Sequence, residues 1–213
     1  MKNRLFGLAL LLLVGLFSCS KKDQACALDE EILSQDLTVE LVRLDQEFFA
    51  GTSASDFLHL MEKYPDFARN YLQVDQYYSP DTLAALLVEV HQDSAMRALY
   101  DSVQVEFADI SDIQQDLEHA FKYIKHYYPN FQAPKVYTFV SGFNSDLVVT
   151  PEMIVIGLDY YLPKDHSFQP DIARYMAERY ERSYLVPMIV LAISSRYNTV
   201  NPEENSLLSE MIY

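Results

Sequence analysis

The chain has 213 residues, half of them hydrophobic, and carries a formal charge of −15 at neutral pH. This length supports one domain with a sizeable apolar core. The strongly acidic balance argues against partners such as nucleic acid or an anionic lipid surface, because both would repel the protein. Cys19 and Cys26 are the two cysteines, too few for a disulfide framework, so the predicted fold depends on its core.

The N-terminus has the organisation of an export signal. A short basic region precedes an apolar run at residues 5–17, which is shorter than the roughly 20 residues that a helix needs to cross a bilayer. Ser18 lies directly before Cys19, in a context that resembles the bacterial lipobox, where the cysteine is acylated and the chain is cut before it. We therefore predict a lipoprotein with a signal peptide at residues 1–18 and lipid on Cys19. The alternative is an ordinary secretory signal with a coincidental cysteine.

After the lipid site, residues 19–35 mix charged and small side chains without periodicity, which predicts a flexible tether. We interpret residues 36–213 as a single domain. It opens with near alternation of apolar residues that turns into helical spacing, so a strand at about 38–43 followed by a short helix is predicted.

Four helices are predicted in the middle of the chain from their start signals. The first ends at Pro65, and the fourth has apolar residues at spacings of three and four from Ile113 to Tyr128 before Pro129 ends it. The predicted caps are, in chain order, Ser55-Asp56, Ser79-Pro80, Asp93-Ser94 and Ser111-Asp112.

The period changes between Pro134 and Leu158. Three short apolar runs at 135–140, 147–149 and 153–156, separated by turns, predict a meander of two or three antiparallel strands. The expected fold class is therefore α+β, mainly helical around a small antiparallel sheet. Further helices are predicted from Gln169 to about Arg182, from Val186-Pro187, and from Pro202 to the end of the chain.

The last predicted helix stops on the apolar residues Met211, Ile212 and Tyr213. An apolar half-helix without a cap has little to pack against. This pattern predicts a protein that is truncated at its C-terminus.

Composition and spacing predict no catalytic set, no metal site and no cofactor. The five histidines do not form the pair at i and i+4 that zinc-binding helices use. Ser141 lies in a turn without the surrounding G-x-S-x-G motif. Asp159 follows a predicted strand, where binding residues often lie, although a strand-terminating turn alone accounts for it.

The run from His126 to His166 resembles the gliding motility-associated lipoprotein GldB family of Bacteroidetes. Its marks are Tyr-Pro-x-Phe before the first strand, the segment IGLDYYLPKD, and Val186-Pro187 opening the next helix. Weaker similarity extends over residues 38–213. The resemblance implies an envelope protein with a role in gliding motility and with partners in the motility or associated secretion machinery. Ser20 after the lipidated cysteine favours the outer membrane, with the domain facing the periplasm.

Proteins of that family resemble gluzincin-type zinc peptidases, in which a helix carrying H-E-x-x-H follows a strand like MIVIGLD. The corresponding helix here reads VPMIVLAISSRYN and lacks both histidines and the glutamate, so the resemblance implies a degenerate, non-catalytic scaffold. One alternative is a lipoprotein that binds a peptide or glycan along the edge of the IGLDYYL strand, with Asp159 and Tyr160 as contacts. An active zinc peptidase is the other alternative.

Overall fold

A computed structural model describes residues 29–169 and 177–198. It divides the chain into two compact units, residues 1–34 and 35–213. The described part of the first unit contains a short helix, α1 (Glu30–Leu33), whose first turn is capped because Asp29 accepts a hydrogen bond from the Glu31 N–H at 2.9 Å. This helix lies within residues 19–35, for which a flexible tether remains a prediction.

Three predictions lie wholly or partly outside the described residues: the signal peptide with Cys19, the start of the helix from Gln169, and the helix from Pro202. A helix is predicted from Gln169 to about Arg182. In the described part of this range and just after it, the chain forms 3₁₀ turns at Glu178–Tyr180 and Arg182–Tyr184.

The second unit belongs to the α+β class, with helices packed around a small sheet. Its α-helices are α2 (Leu44–Ala50), α3 (Ala54–Lys63), α4 (Pro65–Asn70), α5 (Pro80–Gln92), α6 (Ser94–Glu106), α7 (Ser111–Tyr127) and α8 (Leu185–Asn198).

Local capping explains where several of these helices begin. The predicted caps of α5 and α6 are confirmed, since Ser79 accepts from the Thr82 N–H at 3.3 Å and Asp93 accepts from the Met96 N–H at 2.9 Å. The cap of α3 differs from the prediction because Ser53, three residues before Asp56, forms a reciprocal capping box with it.

The predicted end of the first central helix at Pro65 is confirmed, and this proline also opens α4. A proline in the first turn of a helix loses no intrahelical hydrogen bond, because that N–H would have no partner there. The start of α7 also differs slightly from its prediction, since Ser111 is its first residue and Asp109 accepts the Ser111 N–H at 2.9 Å.

Within the described residues, the sheet has four strands in the order β1-β2-β4-β3. Strand β2 pairs parallel with both β1 and β4, whereas β3 pairs antiparallel with β4. The strands are β1 (Leu41–Val42), β2 (Lys135–Phe139), β3 (Leu147–Val149) and β4 (Met153–Gly157).

The prediction of an antiparallel meander is thus wrong, although all its strands are present. The burial of each strand gives the physical reason. All five residues of β4 are buried, as expected for a strand covered on both faces and paired on both sides, while β3 is half-exposed along its length and lies outside it. Strand β4 therefore occupies the position beside β2 that a meander would give to β3.

Phenylalanines from different helices converge on β2 to form the core. Phe48 of α2 packs against Phe57 of α3, with ring centroids 4.9 Å apart, and against Phe139 of β2 at 5.2 Å. Phe67 of α4 reaches the same β2 ring at 5.3 Å. The carboxyl end of β2 is therefore fixed by aromatic packing from three helices.

Gly157, the last residue of β4, provides a test of this arrangement. A Cβ atom at this position would lie 2.1 Å from the carbonyl oxygen of Ser145, so backbone must move to accept a side chain. We expect Gly157→Ala to lower the free energy of unfolding by about 3 kcal/mol, measured by urea denaturation.

Gly51→Ala is the matched control. Its backbone has an ordinary φ of −70°, and its nearest contact would be the Asp56 Cβ at 3.2 Å, so we expect a loss below about 1 kcal/mol. Equal losses for the two variants would contradict the close approach of the loop to the end of β4.

Candidate functional site

The carboxyl ends of the three parallel strands lie at one edge of the sheet, where ligands commonly bind in sheets with parallel strands. The pairing of Val42 with Tyr137 and of Phe139 with Gly157 places these ends side by side. Two fully buried carboxylates, Asp45 and Asp159, follow β1 and β4 at this edge. We call these two residues and the loop at 141–146 after β2 the carboxyl-end site.

The carboxylate of Asp159 holds the first part of that loop. Its Oδ1 accepts from the Ser141 N–H at 2.9 Å, and its Oδ2 accepts from the Ser141 hydroxyl at 3.0 Å and the Phe143 N–H at 2.6 Å. The Ser141 hydroxyl oxygen in turn accepts from the N–H groups of Asn144 and Ser145, both at 3.2 Å. A single carboxylate and one hydroxyl thereby satisfy four backbone donors of the loop.

Two consecutive residues of the loop, Gly142 and Phe143, have left-handed backbones with φ of 67° and 59°. Consecutive N–H groups in such turns form a concave site that attracts anions. Asp159 itself fills this concavity. The strain of a phenylalanine in this conformation, on the order of 1–3 kcal/mol, therefore persists because the carboxylate fixes the loop around it.

The position of Asp159 bears on its predicted role as a ligand contact. The side chain is fully buried and its hydrogen bonds go to its own chain. Burial raises the pKa of Asp159 above its ordinary value of 3.8, although the hydrogen bonds from Ser141 and Phe143 oppose that shift. These hydrogen bonds indicate that the Asp159 carboxylate stabilises the conformation of the loop.

Tyr160, the second predicted contact, lies beside the same loop and is half-buried. Its hydroxyl donates to the Phe143 carbonyl oxygen at 2.6 Å, and its ring packs edge-on against the Phe143 ring at 5.5 Å. Tyr180 packs against Tyr160 at 5.1 Å and donates to the Asp146 carboxylate at 3.0 Å. The sheet edge thus brings Asp159 and Tyr160 to one loop, with the tyrosine on its more exposed side.

The sequence analysis did not identify Asp45 as a site residue. Its place in the run Arg43-Leu44-Asp45, at the end of a predicted strand, was the signal that could have indicated it. Its Oδ1 accepts from Arg43 Nε at 3.0 Å, and its Oδ2 accepts from Arg43 Nη2 at 2.8 Å and Gln104 Nε2 at 2.7 Å. The Thr138 hydroxyl of β2 also donates to it. Burial alone would raise the pKa of Asp45, but these hydrogen bonds and the Arg43 charge lower it below 3.8.

Among the described residues, 29–169 and 177–198, few side chains are available for chemistry at the carboxyl-end site. This part of the chain contains no group of three or more His, Cys, Asp or Glu residues able to hold a metal ion. The strand-edge hypothesis is wrong for β4, because β4 is paired on both sides. What the site offers a ligand is the outer surface of a rigid loop, where Gly142 and Asn144 are exposed.

A family model described as gliding motility protein GldB matches residues 25–213. No curated protein and no solved structure matches the chain, so the resemblance to zinc peptidases gains no support from structure. In the described parts of the chain, no helix combines the length and apolar character needed to span a membrane.

The first prediction from this site concerns the structural task of Asp159. We expect Asp159→Ala to lower the free energy of unfolding by about 1–3 kcal/mol, because it leaves the part-buried N–H groups of Ser141 and Phe143 without acceptors. Urea denaturation measures the loss. Asp165→Ala is the matched control, since this nearby aspartate is exposed and should change nothing measurable. An Asp159→Ala variant as stable as this control would contradict the assigned role.

The second prediction is that the two buried carboxylates respond to pH with opposite signs. The raised pKa of Asp159 means that the folded state gains stability as the pH falls towards 3.8. The free energy of unfolding of the wild type should therefore exceed that of Asp159→Asn by a growing amount in that range. The lowered pKa of Asp45 means that its contribution is lost below 3.8, so the advantage over Asp45→Asn should shrink there. Urea titrations over a pH series measure both differences, and slopes of the same sign would contradict the prediction.

Proposed function

Because the chain belongs to the family of gliding motility protein GldB, we propose that it is a lipid-anchored, non-catalytic component of the gliding motility apparatus. Membership implies a role in gliding motility and a location in the cell envelope. The observation that carries the proposal is the extent of the match, residues 25–213, which includes the whole second unit.

The non-catalytic part of the proposal is supported by how the buried carboxylates are used. A general acid or base needs a carboxyl group that can reach a substrate. Asp45 and Asp159 are instead fully buried and bonded to their own chain. The helix α8, which by resemblance would carry a zinc motif, contains neither histidine nor glutamate. We therefore infer that the protein acts by binding other proteins.

The anchoring part of the proposal is supported by the sequence around Cys19. Each buried acyl CH₂ contributes about 0.8 kcal/mol of membrane affinity, and several chains on one cysteine give stable attachment. Ser20 at the following position favours sorting to the outer membrane, with the domain facing the periplasm. Protein partners would then belong to the motility machinery or the associated secretion machinery.

Two other functions are testable alternatives. A lipoprotein that binds a peptide or glycan is favoured by the rigid, strained loop at 141–146, whose exposed residues Gly142 and Asn144 are held in place by Asp159. An active zinc peptidase requires ligands outside the motif expected on α8. Stoichiometric zinc in the purified protein, together with cleavage of a peptide library, would establish the peptidase.

The central test is complementation of a clean gene deletion. The deletion should abolish colony spreading and reduce export of surface adhesins, and wild type should restore both. We expect Cys19→Ala to lose incorporation of radiolabelled palmitate and to fail in complementation. Cys26→Ala is the matched control and should keep both properties.

The outcomes separate the parts of the proposal. Normal spreading and export in the deletion strain would reject a role in motility and favour the binding lipoprotein. Full complementation by unlabelled Cys19→Ala would reject only the need for the anchor. Spreading defects with normal adhesin export would reject the link to secretion.

A further inference from the structure

A small apolar cavity lies away from the carboxyl-end site, between α3, α4 and the connection to α5. Its volume is about 240 Å³. Leu58 and Met61 of α3 and Ala68 of α4 line it, together with Val74 and Pro80 at the two ends of the connection. The cavity is therefore bordered by the segment 74–80, which we call the tyrosine loop.

The tyrosine loop is the most exposed aromatic segment of the described chain. The side chain of Tyr78 is 99% exposed and that of Tyr77 is 38% exposed. Gln73, directly before the loop, has a left-handed backbone with φ of 55°, a strained conformation that persists only where surrounding structure fixes it. Because the Tyr78 side chain is almost completely exposed, its packing contributes little to the stability of the fold.

The size of the cavity limits what it can accept. Sites that enclose a whole small molecule usually measure about 300–1,000 Å³, whereas this cavity of ≈ 240 Å³ has room for one large side chain. Protein interfaces commonly bury a single anchor residue in such a pocket, and the residues that contribute most to binding are enriched in tyrosine, the residue type that the tyrosine loop exposes.

Charge at the mouth of the cavity indicates the chemistry around that anchor. Glu62 and Asp75 are exposed there, and Arg69, the one basic residue among the described residues that line the cavity, lies 3.9 Å from the Asp75 carboxylate. The chain as a whole carries −15. An anionic lipid surface would be repelled, while basic side chains of a protein partner would be attracted.

We propose that the cavity and the tyrosine loop form a docking surface for a protein partner that inserts one large apolar side chain flanked by Lys or Arg. The proposal rests on the proposed function only in assigning that partner to the motility machinery. Tyr77 and Tyr78 cover the inserted side chain, and Glu62 and Asp75 pair with the flanking basic residues.

Site-specific photo-crosslinking of the full-length protein in its own cells tests the proposal. The photoreactive residue p-benzoylphenylalanine replaces Tyr78, and in the control it replaces Tyr127, which is 69% exposed on α7. We expect a light-dependent protein adduct from position 78 and none of that size from position 127. The cross-linked partner peptide, identified by mass spectrometry, should contain a large apolar residue within a few positions of Lys or Arg.

Charge reversal at the mouth provides the second readout. Glu62→Lys and Asp75→Lys should each lower the adduct yield about tenfold, while Glu152→Lys, an exposed control between β3 and β4, should leave it unchanged. Unchanged thermal unfolding of these exposed variants shows that the fold is intact.

Several results would overturn the docking surface: no adduct at position 78, the same adduct from position 127, an adduct with lipid or glycan, or a partner peptide without basic residues. The complementation test stays separate from these outcomes. A specific adduct in cells that spread normally without the gene would keep the docking surface and reject the motility role, whereas a spreading defect without any adduct would do the reverse.

Discussion

The carboxyl end of β2, held between two buried carboxylates, is the constraint on which the rest of this structure depends. Asp45 binds the Thr138 side chain within the strand, and Asp159 binds Ser141 just after it. Removing an ion from water costs several kcal/mol even after relaxation, so each carboxylate requires its complete set of hydrogen bonds. The fold supplies them from α6 and β2 on one side and from the loop on the other, and in doing so fixes these elements relative to the sheet.

This constraint explains which parts of the fold could be predicted. The starts of α5 and α6 are local events, because Ser79 and Asp93 cap N–H groups three residues away. The order of the strands is not local. It depends on the complete burial of β4, and the polar contact that aligns the start of α2 with β2 joins Asp45 to Thr138, 93 residues apart. No periodicity in a single sequence carries that information.

The candidate site shows the same division. The position of Asp159 after a strand correctly indicated a residue at the carboxyl end of the sheet, and Tyr160 lies at the same loop. The direction of the carboxylate could not be predicted, because it depends on the N–H groups of Ser141 and Phe143, and these converge only when Phe143 adopts its left-handed backbone. A strand-end aspartate can face solvent or fill a turn, and the adjacent turn decides between them.

These interactions also separate the stabilising residues from those available for function. A carboxylate that is fully buried and bonded by its own chain contributes to the free energy of folding, and its loss reduces function by reducing the amount of folded protein. Tyr78 is in the opposite situation, because its almost complete exposure means that its packing contributes little to folding. A loss of function at Tyr78 without a loss of stability would therefore reflect binding. The interior of this domain sets its shape, and its recognition of partners depends on the acidic surface and the few aromatic side chains exposed on it.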